Sequence, residues 1–374
     1  MDFDDLVKTG TVKFSLNVKK EKKLKLRYEP VELKARYTFN IANQDVAGDI
    51  FRNVVVHLEY DGITGCGEAA PFEIYGENQR TVMAALDTIT PCIEKMKTPW
   101  EAESLMEYLD RKLERNFAAK AAIDMALFDL QGKICDLPVY RLLGLSVEKI
   151  PMSTYTIGID SEEVIREKAN QVADYPLLKI KVGGPEDIKT IKIVRSEAPQ
   201  ARLRVDANCG WQPRQALKMI EQLVEFGVEF IEQPLPAENK EGARWLYERS
   251  PLPLMADESC ERLEDIPECI GRFDAINIKL AKCGGIRHAL KMIGCARAHQ
   301  LNVMLGCMVE TSIGVTAAAH IAPLVDYIDL DGSELTSNDP CHGMTFDKGK
   351  IILSDKPGLG VEMRSFQEVE CVES

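Results

Sequence analysis

Leu203-Arg204-Val205-Asp206-Ala207-Asn208 is an apolar run that ends in an acid and a polar turn, and this stretch decides the fold because the pattern returns seven more times. The others are TYTIG (154–158), LLKIKVG (177–183), FIEQP (230–234), LMADES (254–259), AINIK (275–279), NVMLG (302–306) and YIDLDG (327–332). Amphipathic segments such as 212–226 and 285–299 lie between them. A short apolar strand followed by a helix, about every 25 residues, is the rhythm of a βα unit, and seven or eight such units close into a parallel barrel. A doubly wound sheet is the alternative, and the regular period favours the barrel. The expectation is therefore an α/β protein, a (β/α)7β TIM-like barrel over residues 146–340. In such a barrel the C-terminal strand ends converge on one face, so polar residues scattered along the chain become neighbours.

Upstream the pattern changes. Residues 23–39 and 52–60 alternate like strands, and Tyr60-Asp61-Gly62 carries hairpin chemistry. Helical stretches follow near 79–96, 101–114 and 116–134; the last places Ala119, Ile123, Ala126, Leu127 and Leu130 at helical spacing. Residues 1–145 are read as a separate α+β domain.

The bulk properties exclude several classes. A net charge of −13 argues against a nucleic-acid surface, and the lysine run around Lys19 to Lys25 is short enough to be a solvated edge. The 11 cysteines are odd in number and scattered, and none forms a CxxC pair, which suits a reducing compartment without a disulfide framework. The opening MDFDD is not a basic-then-apolar leader, and no run of about 18 apolar residues occurs. A cytoplasmic protein without membrane partners is expected.

The strand ends carry the chemistry. Asp206, Glu232 and Asp257 follow three consecutive strands, 26 and 25 positions apart. Neighbouring strands lie roughly 5 Å apart, so the three carboxylates need a cation between them. Three oxygen ligands with positions left open suit Mg²⁺; the plainer alternative is that each acid caps the next helix. Lys179 and Lys181 alternate to the same side of the second strand, with Ile180 turned outward. Lys279 ends the sixth strand, diametrically opposite the second. A carboxylate held at the metal beside Lys179 would thus meet Lys181 on one face and Lys279 on the other. One lysine would remove the α-proton, the metal and Lys179 would stabilise the enediolate, and the other lysine would return a proton with inversion. Such a lysine needs a lowered pKa, which its neighbours (Lys179 beside Lys181, Lys282 near Lys279) and burial would supply. Salt bridges to the acids or snorkelling to the surface are the structural alternatives.

With these residues in hand, the set KIKVG, RVDAN, IEQP, ADES and NIKLAKCGGI resembles the muconate-lactonizing subgroup of the enolase superfamily over nearly the whole chain. DGITGCGEAAPFEIYGE is similar to that family's capping domain, and GKIILSDKPGLGV to the tail (341–374) that returns to the cap. Within the subgroup the chain most resembles dipeptide epimerases of the L-Ala-D/L-Glu type. The resemblance implies that Asp329 and Asp331 bind the ammonium of a dipeptide, that Thr156, Cys307 and Met308 contact the substrate, and that the protein is a homo-oligomer. Glu258, Asn208 and Glu310 are candidates for supporting the ligands or lysines. Phe39-Asn40-Ile41-Ala42-Asn43-Gln44 lacks the arginine that Ala-Glu enzymes can carry in this loop. Asp45 and Asp49 would suit a cationic side chain there, Phe39, Ile41 and Val46 an apolar one, so a non-acidic second residue is expected. Sister reactions of the same fold (o-succinylbenzoate synthesis, N-acylamino-acid racemisation, cycloisomerisation) and a non-catalytic binding barrel are the competing readings.

Overall fold

A computed structural model describes residues 23–42, 48–184 and 186–364. Alternating sequence gives three antiparallel strands, β1 (Lys25–Phe39), β2 (Gly48–Tyr60) and β3 (Ile63–Ala69), in the order β1-β2-β3. Asp61 and Gly62, both at positive φ, make the β2–β3 turn. Of the lysine run, Lys19, Lys20 and Lys22 lie outside the described residues; Lys25 is exposed and pairs with Glu59 at 3.1 Å. Helices α1 (Gln79–Ile93), α2 (Ala102–Lys112), α3 (Phe117–Cys135) and the short α4 (Val139–Leu142) complete the cap.

Helix α3 is buried on every side from Ala118 to Gly132 because it is sandwiched between the cap sheet and the barrel. Its alanines let β3 approach closely: a Cβ at Gly67 would lie 2.0 Å from the Ala122 carbonyl oxygen, and one at Gly65 2.2 Å from that of Ala126. Its buried acids tie the units together. Asp124 forms an ion pair with the Arg287 guanidinium and accepts from the Arg287 backbone amide, each at 2.8 Å. Asp129 accepts from the amides of Cys66 and Leu359, each at 2.8 Å.

The barrel strands are β4 (Tyr155–Ile157), β5 (Leu177–Lys181), β6 (Arg202–Asp206), β7 (Val228–Glu232), β8 (Leu254–Ala256), β9 (Ala275–Lys279), β10 (Asn302–Gly306) and β11 (Tyr327–Asp329). They run parallel in chain order from β4 to β11. A parallel bridge between Ser153 and Ile328 joins the two ends. Outside lie α5 (Glu162–Gln171), α6 (Asp187–Glu197), α7 (Pro213–Val224), α8 (Lys240–Tyr247), the short α9 (Ile266–Cys269) and α10 (Leu280–Cys283), α11 (Ile286–Ala298) and α12 (Ser312–Ala319). With α10 and α11 in one connection, seven βα units and a last strand give (β/α)7β, as the repeat predicts. Outward-facing Ile180, Val205, Ile231, Ile276, Ile278 and Leu305 are buried beneath the helices. The tail forms β12 (Cys341–His342), β13 (Thr345–Asp347), β14 (Lys350–Ile352) and β15 (Glu362–Met363) and returns to the cap, where the Val139 amide donates to the Gly358 carbonyl at 2.9 Å.

Among the described residues no helix is long and apolar enough to cross a membrane, and ten cysteines are free. The Gly67 contact generates a prediction. Gly67→Ala drives a methyl into the α3 backbone and destabilises the fold by about 3 kcal/mol, measured as a shift of the denaturation midpoint, whereas Gly62→Ala at the open hairpin costs about 1 kcal/mol.

Candidate active site

The strand register builds the site. Lys181, Asp206 and Glu232 pair in succession across β5, β6 and β7. Lys279, Gly306 and Asp329 do the same across β9, β10 and β11. Asp257 lies one residue beyond β8 and Asp331 two beyond β11. Together with the cap, these ends surround a cavity of about 110 Å³ whose walls include Thr156, Lys179, Lys181, Asn208, Glu258, Lys279, Cys307, Met308, Asp329 and Asp331.

Asp206, Glu232 and Asp257 are buried, and each offers a carboxylate oxygen within 4.8 Å of the others. Burial and the neighbouring Asp206 push the Glu232 carboxyl up to about 7. Burial acts in the same direction on Asp206, but Lys179 and Lys181 outweigh it and hold that group down at about 2. An all-oxygen set whose central acid stays raised even with Lys179 at 2.7 Å fits a hard divalent cation.

Lys179 bridges Asp206 at 2.9 Å, Glu232 at 2.7 Å and Asp329 at 2.7 Å. Lys181 reaches Asp206 at 2.7 Å, and Lys279 reaches Asp257 at 2.8 Å. The two lysines therefore sit against the outer members of the acid trio, on strands four places apart in a barrel of eight. The expected lowering of lysine pKa is not what the surroundings produce. Burial pushes Lys179 and Lys279 down, but the carboxylates around them outweigh it and both are held above the ordinary lysine range. Lys282 is not a neighbour that destabilises a second ammonium. It is buried, binds the Asp257 carboxylate, and donates to the carbonyls of Asp257, Asn277 and Cys260 at 2.8, 3.1 and 3.2 Å, so it fixes Asp257 in place.

The Asp329–Asp331 pair is divided. Asp329 is already engaged by Lys179 and the Thr154 hydroxyl. Asp331 accepts from the Thr156 amide at 2.6 Å, and burial together with Asp329 pushes it up to about 7. An acid raised in this way favours a cation beside it. Glu310 does not line the cavity; it accepts from the Met308 amide at 3.0 Å and so holds the lining loop from behind.

Several contributors are not legible in the strand-end pattern. Gln233, at φ 34°, accepts from the amides of Asp257 and Ser259 at 2.9 and 3.1 Å. Asn277 donates to Glu232 at 2.7 Å. Glu68 of the cap accepts from the Thr311 hydroxyl and amide, the Gly314 amide and Asn53. The cap wall of the cavity comprises Ile41, Phe51, Arg52, Asn53, Pro71, Phe72 and Tyr75. Arg52, outside residues 39–44, also lines the cavity; its Nε donates to Glu32 at 2.9 Å. Asp45 and Val46 lie outside the described residues, as does the Phe39 side chain; Ile41 lines the cavity, and Asp49 is exposed and not among its walls.

Comparison with known proteins gives this geometry a lineage. Residues 163–367 match the family model "Enolase C-terminal domain-like", and residues 29–144 match the N-terminal domain of mandelate racemase/muconate lactonizing enzyme. The chain is 43% identical over 341 residues to an L-Ala-D/L-Glu epimerase of Bacteroides thetaiotaomicron, covering 91% of this chain and 88% of that one. An L-Ala-D/L-amino acid epimerase of Pedosphaera parvula is 39% identical over 350 residues, covering 91% of this chain and all (100%) of that one. A dipeptide epimerase of Enterococcus faecalis, solved with Mg and the dipeptide L-Leu-L-Tyr, superposes with a TM-score of 0.86 at 33% identity, covering 91% of this chain and 99% of that one. The chain belongs to the mandelate racemase/muconate lactonizing group of the enolase superfamily, where its relatives are dipeptide epimerases.

Proposed function

We propose that the protein is a Mg²⁺-dependent dipeptide epimerase that inverts the α-carbon of the C-terminal residue by proton transfer between two lysines. The observation that carries this reading is a trio of buried carboxylates within 4.8 Å of one another whose outer members pair with Lys181 and Lys279, two lysines that line the cavity. Asp206, Glu232 and Asp257 would hold Mg²⁺. When bound, the ion supplies positive charge that makes a carbon next to a carboxylate more acidic.

The protein's own groups do the rest. Lys179, amid Asp206, Glu232 and Asp329, faces the position of the substrate carboxylate and adds a fixed positive charge. Lys181 and Lys279 take or give the α-proton, each from its own side, so removal by one and return by the other inverts the centre; a cation held by Asp206, Glu232 and Asp257 would offset the carboxylates that raise Lys279 and so favour the free amine that proton removal requires. Asp331 receives the dipeptide's ammonium, with Thr156 beside it and Cys307 and Met308 forming the adjoining wall. The enclosed, partly apolar site excludes water from the carbanionic state. The free cysteines suit a reducing cytoplasm.

The C-terminal side chain meets the cap wall. Stretch 39–44 holds no arginine, but Arg52, paired with Glu32 at 2.9 Å, lies on the cap wall beside an otherwise largely apolar surface. We infer that an acidic side chain is accepted there, its stem against Phe51 and Ile41. The relative at 43% identity, named for L-Ala-D/L-Glu, supports this choice.

Three outcomes follow. In heavy water with Mg²⁺, dipeptides exchange the C-terminal α-hydrogen, and a chelator stops it; Lys181→Ala and Lys279→Ala each abolish epimerisation, while each still exchanges one epimer. Normal epimerisation by either single variant would refute the two-base scheme. Asp331→Asn lowers kcat/KM for a free dipeptide by roughly 30-fold, the loss of one charge-assisted contact, and an N-acetylated dipeptide is a poor substrate of the wild type; efficient turnover of the acetylated compound would point to N-acylamino-acid racemisation instead. Arg52→Met lowers kcat/KM on L-Ala-L-Glu by at least about tenfold and on L-Ala-L-Leu by less than about threefold; equal losses would remove Arg52 from side-chain recognition.

A further inference from the structure

The two lysines are held differently. Lys279 rests on Asp257, a carboxylate clamped by Lys282 and by the backbone that Gln233 orders. Lys181 rests on Asp206 and, at 2.9 Å, on the side-chain oxygen of Asn208. An amide presents an acceptor at one end and a donor at the other, and only the acceptor end can face an ammonium. Something must therefore fix which way Asn208 points.

Its backbone alone does not. Asn208 follows the end of β6 at φ 38°, with its amide donating to Asp206 at 3.0 Å, which sets the position of the side chain but not the rotation of its amide group. Glu258 supplies the missing constraint: Asn208 Nδ2 donates to Glu258 Oε1 at 3.2 Å. With its NH₂ end held by the Glu258 oxygen, the Asn208 amide leaves Oδ1 aimed at Lys181. The location of Glu258 is costly. It lines the cavity beside Asp206 and Asp257, and its Oε2 is buried with no hydrogen-bond partner among the described residues. An extra acid next to a crowded acid trio destabilises the site unless it does something there.

We propose that Glu258 is a positioning residue for Lys181: through the Asn208 amide it aims one of the two bases, whereas it makes no hydrogen bond to Lys279 or to the Asp257 carboxylate that holds it. This rests on the two-lysine reading above. An isologous contact on the other side is not needed, because Asp257 is already immobilised by Lys282.

The test follows α-hydrogen exchange in heavy water, with the full chain and Mg²⁺, on each epimer of the dipeptide that the wild type turns over fastest. Lys181→Ala identifies which epimer presents its hydrogen to Lys181. Glu258→Ala should slow exchange of that same epimer by about 30-fold and of the other by less than about threefold. Glu258→Gln keeps an oxygen to accept from Asn208 and should stay within about threefold of wild type on both. The unaffected epimer serves as the control for folding and metal loading. Equal losses on both epimers, a loss confined to the Lys279 side, no loss at all in Glu258→Ala, or failure of glutamine to restore the rate would each overturn the proposal. A wild type that exchanges neither epimer would overturn the two-lysine reading itself, and is told apart by that result.

Discussion

Three carboxylates buried within 4.8 Å of one another repel strongly, and the architecture of the barrel mouth is organised around that repulsion. Lys179 is placed among Asp206, Glu232 and Asp329; Lys181 leans on the near acid, Lys279 and Lys282 on the far one. These lysines make the acids tolerable, and the acids in turn hold Lys179 and Lys279 above the ordinary lysine range. Neither set could be buried at this depth without the other, since an isolated buried charge costs several kcal/mol.

A parallel barrel brings such groups together because its strands are short and in register. Each inward-facing residue at a strand end meets its counterpart on the next strand, so one row runs from Lys181 through Asp206 to Glu232 and another from Lys279 through Gly306 to Asp329. The cap closes over this rim through α3, whose small residues let β3 lie against it and whose buried Asp124 and Asp129 bind the barrel and the tail.

The parts legible in the sequence were those repeated or clustered by the backbone's own period. Strand-end acids and lysines stand out because alternation and the βα spacing place them on one face before any contact is known. Arg52 was hidden because it reaches the cavity from the middle of a cap strand, 154 positions before Asp206, where no local pattern marks it. Lys282 was visible as a residue, but whether it perturbs Lys279 or pins Asp257 depends on carbonyl groups that only the folded turn supplies. The raised pKa of Lys279 has the same origin: burial alone gives the opposite sign, and the charges of Asp257 and Glu232 reverse it. Gln233 and Asn277 act by orienting acids, a role that leaves no spacing signature.

The cavity draws its walls from two sources: the lysines and acids proposed to react stand on barrel strand ends, whereas Phe51, Arg52, Phe72 and Tyr75 come from the cap. Changes in the cap can therefore alter which molecule fits while the proton-handling apparatus stays as it is. A scaffold divided in this way can diversify its menu in small steps, since a new preference does not require the hardest part of the machinery to be invented again.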